Sequence, residues 1–305
     1  MSYHATKHLV AFLVIILYME EKEMSFLDHL EELRWHIIRA VAAVLLLSIV
    51  VFVSKDFVFG TVILGPMKTD FWTYRQLCEF GQQLGTDGFC IEGINFTLQS
   101  RQMTGQFSMH LISSFVLGFV LGFPYVFWEI WRFVRPALYP NEKNVAVGAV
   151  FWVSLLFLTG ALFGYYLLTP VSVNFLANYV LDPSIQNQFD ITSYVSTLIM
   201  LVIGSALMFQ LPMAVLVLAR LGIVTPAFMR QFRRHSIVVI FIVAAIITPA
   251  DVFTQFMVAI PLILLYEISI FIAAYIERKR IKAEKLLQLQ EATAERPAAL
   301  DQMID

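Results

Sequence analysis

The chain has 305 residues, 59% hydrophobic and only 14% charged, with a net charge of −2. An ordinary soluble domain is about 45–50% apolar and about 25% charged, so the composition argues against a soluble enzyme, a disordered chain and a nucleic-acid-binding protein. Charge is missing from long stretches and clustered between them, the pattern of an all-α polytopic membrane protein, and two cysteines are too few for a disulfide scaffold or a Cys-rich metal site.

Residues 1–23 form an extension. Leu9 to Met19 is apolar but too short to span, lacks a small-residue cleavage site, and is followed by Glu20, Glu21, Lys22 and Glu23, which makes a poor signal peptide. Met24 opens a segment that reads as a natural N-terminus. A mis-assigned start codon is the expected explanation, and an extra interfacial helix the alternative. From Ser25 a cap with Asp28 three residues on, and an apolar stripe of Phe26, Leu27, Leu30 and Leu33, predict an amphipathic helix lying on the cytoplasmic face. Its polar side carries Asp28, Glu31 and Glu32. A solvated face is the plain reading. Interfacial helices normally present Lys and Arg to anionic lipid, so carboxylates here suggest that something basic is received.

Residues 24–277 are expected to form one six-span domain. The apolar stretches are Ile37–Val53, Phe107–Trp128, Val145–Leu168, Val195–Leu218, Ile237–Thr248 and Phe256–Tyr275. The fifth is too short to span alone, and Pro261 and Glu267 interrupt the sixth, so these two are expected to be short and to form a tight hairpin in thinned bilayer. Lys and Arg cluster after the second, fourth and sixth stretches, while the links after the third and fifth carry only acids. Both termini are therefore expected inside. The loop after the first stretch, about 54–105, faces out, and residues 278–305 form a cytoplasmic tail that continues the last helix and then frays. Aromatics at Tyr125, Phe127, Trp128, Trp131 and Phe133 read as an interfacial belt in the loop that follows the second stretch.

No HExxH, GxSxG or P-loop occurs, and the six histidines do not pair at haem-ligand depth, so the chain reads as a non-enzyme without metal or cofactor. Several segments then resemble one family. His29-Leu30-x-Glu32-Leu33-Arg34 is similar to the N-terminal signature of TatC, the multispanning subunit of the twin-arginine protein translocase. Pro136-Ala137-Leu138-Tyr139-x-x-Glu142-Lys143 resembles its first cytoplasmic loop, and Phe209-Gln210-Leu211-Pro212 its fourth span. Leu221-Gly222-Ile223-x-Thr225-Pro226, Thr248-Pro249-x-Asp251, and Ala259-Ile260-Pro261 with Tyr266-Glu267 resemble the remainder in order.

The resemblance implies a receptor and core subunit that exports folded proteins across the bacterial cytoplasmic (inner) membrane. Its implied partners are twin-arginine signal peptides, TatA/TatB-type single-span subunits, membrane lipid and further copies of itself, with no nucleic acid. It implies that Glu32 and Glu142 contact the arginine pair, with Arg34 and His29 beside them; a guanidinium binds carboxylate in a two-pronged fork that lysine cannot match. Gln210, Glu267 and Asp251 are candidate intramembrane or partner contacts, and Pro66, Pro136 and Pro249 candidate structural positions. The chain departs from the family in having Gln210 where Glu is frequent and Glu129 where Gln is frequent. A small-solute transporter and a purely structural assembly subunit are the rival readings. Cys78 and Cys90 both fall in the outer loop. Either they are two free thiols in an insertion, or, as expected, they close a structural bridge across the turn-forming residues between them.

Overall fold

The computed structural model describes residues 26–85, 90, 96–134, 145–248 and 252–301. Helix α1 covers Phe26–Val53, 28 residues without Gly or Pro, about 42 Å long. The amphipathic segment expected to lie separately on the membrane face is thus the first turns of the first span. No helix-breaking residue separates the two, so the chain has no reason to bend there.

The outer loop is largely structured. A short helical turn at Lys55–Phe57, a wide turn at Val58–Ile63 and a tight one at Gly65–Met67 lead to helix α2, Trp72–Gln83. Strand β1, Thr97–Gln99, follows. Helix α3 runs Gly105–Val134 with Pro124 inside it, so the residues read as a loop after Pro124 are helical as far as Val134. The aromatic belt rides on these last turns.

Helix α4, Val145–Phe163, continues through a wide turn at Gly164–Leu168 into helix α5, Thr169–Asn178. The proline explains how the loop docks here. Pro170 has no N–H to offer the Tyr166 carbonyl four residues back. That carbonyl accepts the Thr73 hydroxyl of α2 instead. The Tyr74 hydroxyl lies 2.8 Å from the Pro66 carbonyl and 2.9 Å from that of Pro170, and burial raises its pKa well above the ordinary value. Tyr165 and Tyr194 each donate at 2.7 Å to the backbone of the wide turn, at Val62 and Ile63.

Strand β2, Gln188–Asp190, pairs in parallel with β1, in the register Thr97↔Gln188, Leu98↔Phe189 and Gln99↔Asp190. The ladder joins the links after the first and third spans at one end of the bundle. Asp190 then caps helix α6, Ile191–Met208, by accepting from the Thr192 N–H. A break at Phe209–Gln210 leads to helix α7, Leu211–Arg220. Helix α8, Pro226–Gln231, is capped by Thr225.

Helix α9, Arg233–Ile247, has 15 residues, about 22 Å, short of the roughly 30 Å hydrocarbon core. Helix α10, Val252–Asp301, has 50. The sixth stretch is therefore not short: its helix runs unbroken through Pro261 and Glu267 and on through residues 278–301. Among the described residues, five helices are long and apolar enough to span a membrane, and α9 is the short sixth segment.

Two glycine pairs let the spans touch backbone to backbone, as small residues do in membranes. A Cβ on Gly118 of α3 would lie 2.7 Å from the Ser48 nitrogen of α1, and one on Gly160 of α4 would lie 2.8 Å from the Ala206 Cα of α6. Gly122 and Gly164 stand one turn further along each contact. Beside these seams the rings of Phe123 and Phe157 stack, their centroids 3.5 Å apart.

Candidate functional site

Glu32, His36 and Arg39 follow one another on α1 at steps of four and three. Tyr125, Glu129 and Arg132 do so on α3. Such steps keep side chains on one helix face, and the two faces meet near the start of α1 and the end of α3. His36 Nδ1 lies 2.5 Å from Glu129 Oε2, a contact joining residues 93 apart in the chain. On the other side of the ring, His36 Nε2 stands 3.9 Å from Glu32 Oε1. The Arg39 guanidinium approaches the same Glu129 oxygen at 4.0 Å, and Tyr125 stands one turn before Glu129 on the same face of α3. His36 is 5% exposed and Glu129 1%, whereas the Glu32 side chain is 43% exposed. The cluster thus has a sealed interior and one open carboxylate.

Arg34 is exposed, 3.6 Å from Glu31, with its guanidinium 5.6 Å from the Trp35 ring centre. It is therefore paired with Glu31 rather than Glu32. His29 lies on the opening turns of α1. Glu142, Pro136, Pro249 and Asp251 lie outside the described residues. Pro66 is buried and its carbonyl faces the Tyr74 hydroxyl.

Gln210 stands at the break between α6 and α7, and its amide donates to the Val153 carbonyl of α4 at 3.1 Å. It lines an apolar cavity of ≈ 860 Å³ with Phe127, Trp131, Trp152 and Ile268. Glu267 meets the Arg233 guanidinium of α9 at 2.9 Å and 3.0 Å, so this acid has a counter-ion on the neighbouring helix. Cys78 and Cys90 are joined by a disulfide, Cα atoms 4.2 Å apart. Among the described residues no cluster of His, Cys, Asp or Glu is arranged to hold a metal.

The sequence alone gives His36 no site role, places Arg39 only as a charge reaching for the interface and Arg233 only among the inside charges, and marks Glu129 only as a departure from the family. The helical spacing of Glu32–His36–Arg39 and Tyr125–Glu129–Arg132 was the signal available. It says that each trio shares a face, though not that the two faces meet.

The fold and the order of segments match one family throughout. The family model described as Sec-independent protein translocase protein (TatC) matches residues 28–261. The TatC protein of Blattabacterium sp. subsp. Periplaneta americana is 34% identical over 263 residues, covering 86% of this chain and 99% of its own length. The TatCy protein of Bacillus subtilis is 32% identical over 265 residues, 87% of this chain and 94% of its own. A crystal structure of the twin-arginine translocase receptor TatC superimposes with a TM-score of 0.62 at 30% identity, covering 82% of this chain and 99% of that one. The chain therefore belongs to the TatC family of Sec-independent protein translocase subunits, polytopic membrane proteins that work with other Tat subunits.

Proposed function

We propose that this chain is the receptor and core subunit of a twin-arginine translocase. It sits in the bacterial inner membrane with both termini cytoplasmic, beside TatA/TatB-type single-span subunits and further copies of itself. Glu32 and Glu142 hold the paired arginines of the signal peptide, and His29 and Arg34 flank them. Gln210, Glu267 and Asp251 serve contacts within the membrane or with partner helices.

The observation that carries the reading is the half-open Glu32 carboxylate, on a helix face where lipid chemistry favours basic residues. A guanidinium pair is always charged and offers each carboxylate two parallel donors.

A photocrosslinker placed at residue 142 is expected to capture twin-arginine signal peptides and to ignore the same peptides carrying Lys-Lys. The Glu32→Gln, Glu142→Gln double variant is expected to insert normally and to export no twin-arginine cargo. Wild-type export by that variant would overturn the reading.

A further inference from the structure

Glu32 does not stand alone on its helix. Side chains of a helix lean toward its N-terminus, so His36 presents one ring nitrogen to Glu32, a turn earlier, and the other to α3. On the α3 side, Glu129 meets Nδ1 at 2.5 Å. Glu129 is itself buried and faces Arg39 at 4.0 Å. The imidazole is therefore anchored on its buried side by a buried carboxylate. At the open end, Nε2 faces Glu32 Oε1 at 3.9 Å, beyond hydrogen-bond reach. The ring stands beside the carboxylate without hydrogen-bonding it, and the half-exposed carboxylate stays open to an incoming fork.

We propose that His36 and Glu129 are positioning residues that orient the Glu32 carboxylate for a guanidinium, and so set the preference for arginine over lysine in the signal peptide. The proposal rests on the receptor reading above. A free glutamate loses rotamer freedom when fixed, and orienting it beforehand removes part of that cost from binding. A fork needs the carboxylate plane aligned; a lysine ammonium, a compact charge on a flexible stem, does not. Loosening Glu32 therefore weakens Arg-Arg binding more than Lys-Lys binding. A residue that only stabilised the bundle would lower the amount of folded receptor and leave the ratio untouched.

The test uses the full chain in native membranes with two fluorescent signal peptides, one carrying Arg-Arg and one Lys-Lys, and reads the ratio of their affinities. His36→Gln and Glu129→Gln are each expected to lower that ratio roughly three- to tenfold. The double variant is expected to lower it no further, because both act through one contact. Glu129→Asp, which keeps the charge on a shorter arm, serves if the amides fail to insert, and is expected to fall between wild type and Glu129→Gln. Glu32→Gln separates the two levels of the argument. If it abolishes the preference while the His36 and Glu129 variants keep the wild-type ratio, the positioning role is overturned and the receptor reading stands. If Glu32→Gln itself keeps the wild-type ratio, both fall.

Discussion

The seam between α1 and α3 should tolerate an added methyl group poorly. A Cβ on Gly118 would lie 2.3 Å from Ser48 Oγ, 2.7 Å from its nitrogen and 2.8 Å from its Cα. The hydroxyl can turn away; the backbone cannot. Restoring ordinary contact at about 3.5–4.0 Å forces the helices apart by roughly 1 Å, and overpacking of this kind costs about 1–3 kcal/mol. Gly148 of α4 supplies the control, since a Cβ there meets nothing within 4 Å and alanine gains up to about 1 kcal/mol of helix propensity. Gly118→Ala should therefore lower the Tm of the detergent-solubilised protein by a few degrees, at about 2 °C per kcal/mol, the lower end of the range for large domains. Gly148→Ala should hold or raise it. The separation also reaches the site, because His36 and Glu129 lie along the same seam, so Gly118→Ala should reduce signal-peptide affinity in the fraction that remains folded. Equal melting of the two alanine variants would refute the close-contact argument.

Two further outcomes concern the outer loop. The Cys78–Cys90 disulfide closes a loop of about 13 residues, worth roughly 3 kcal/mol in the chain-entropy model, so Cys90→Ser should speed proteolysis between α2 and β1; full thiol labelling of wild-type membranes without reductant would refute the bridge. Hydrogen bonds from the Thr192 hydroxyl and then its N–H hold the Asp190 carboxyl below the usual carboxylate range. A depressed folded pKa contributes stability that is present above the unfolded value and lost as pH falls through the folded one. Amide exchange at residues 97–101 should therefore accelerate, relative to Asp190→Asn, only below about pH 4, and an identical profile in the two proteins would count against the cap.

The spans were legible because apolar length reports the bilayer directly; the helix ends were not, because apolar length does not report where a helix stops. Charge marks the membrane surface, whereas a helix ends where glycine, proline or a cap takes over its hydrogen bonds. From Phe26 to Val53 none intervenes, so α1 runs through Glu31, Glu32 and Arg34 into the span. The same holds for α3 past Trp128 and for α10 through the basic residues after Tyr275. Pro170 hid the opposite lesson. Its effect is to leave the Tyr166 carbonyl for Thr73, and no local pattern shows which distant hydroxyl will take it.

The site follows from a rule that the sequence carries in inverted form. In lipid the large apolar side chains face outward and the small or polar ones meet between helices. On α1, Ile37, Ile38, Leu45, Leu46 and Ile49 are exposed, while His36, Ala40, Val44 and Ser48, at steps of four, are each under a tenth exposed. On α3, Gly118, Gly122 and Glu129 are buried along a matching line. Glycine permits the approach, and the approach leaves His36 and Glu129 no room for water, so each must satisfy the other. Removing either partner strands the other, at a cost of about 3–5 kcal/mol when the residual charge stays buried. Glu32 stood out in the sequence because a group of acids on a membrane face is conspicuous. His36 is visible only once the small-residue stripe is taken as the buried face, and that stripe then shows why the open carboxylate and the sealed pair share one line of side chains.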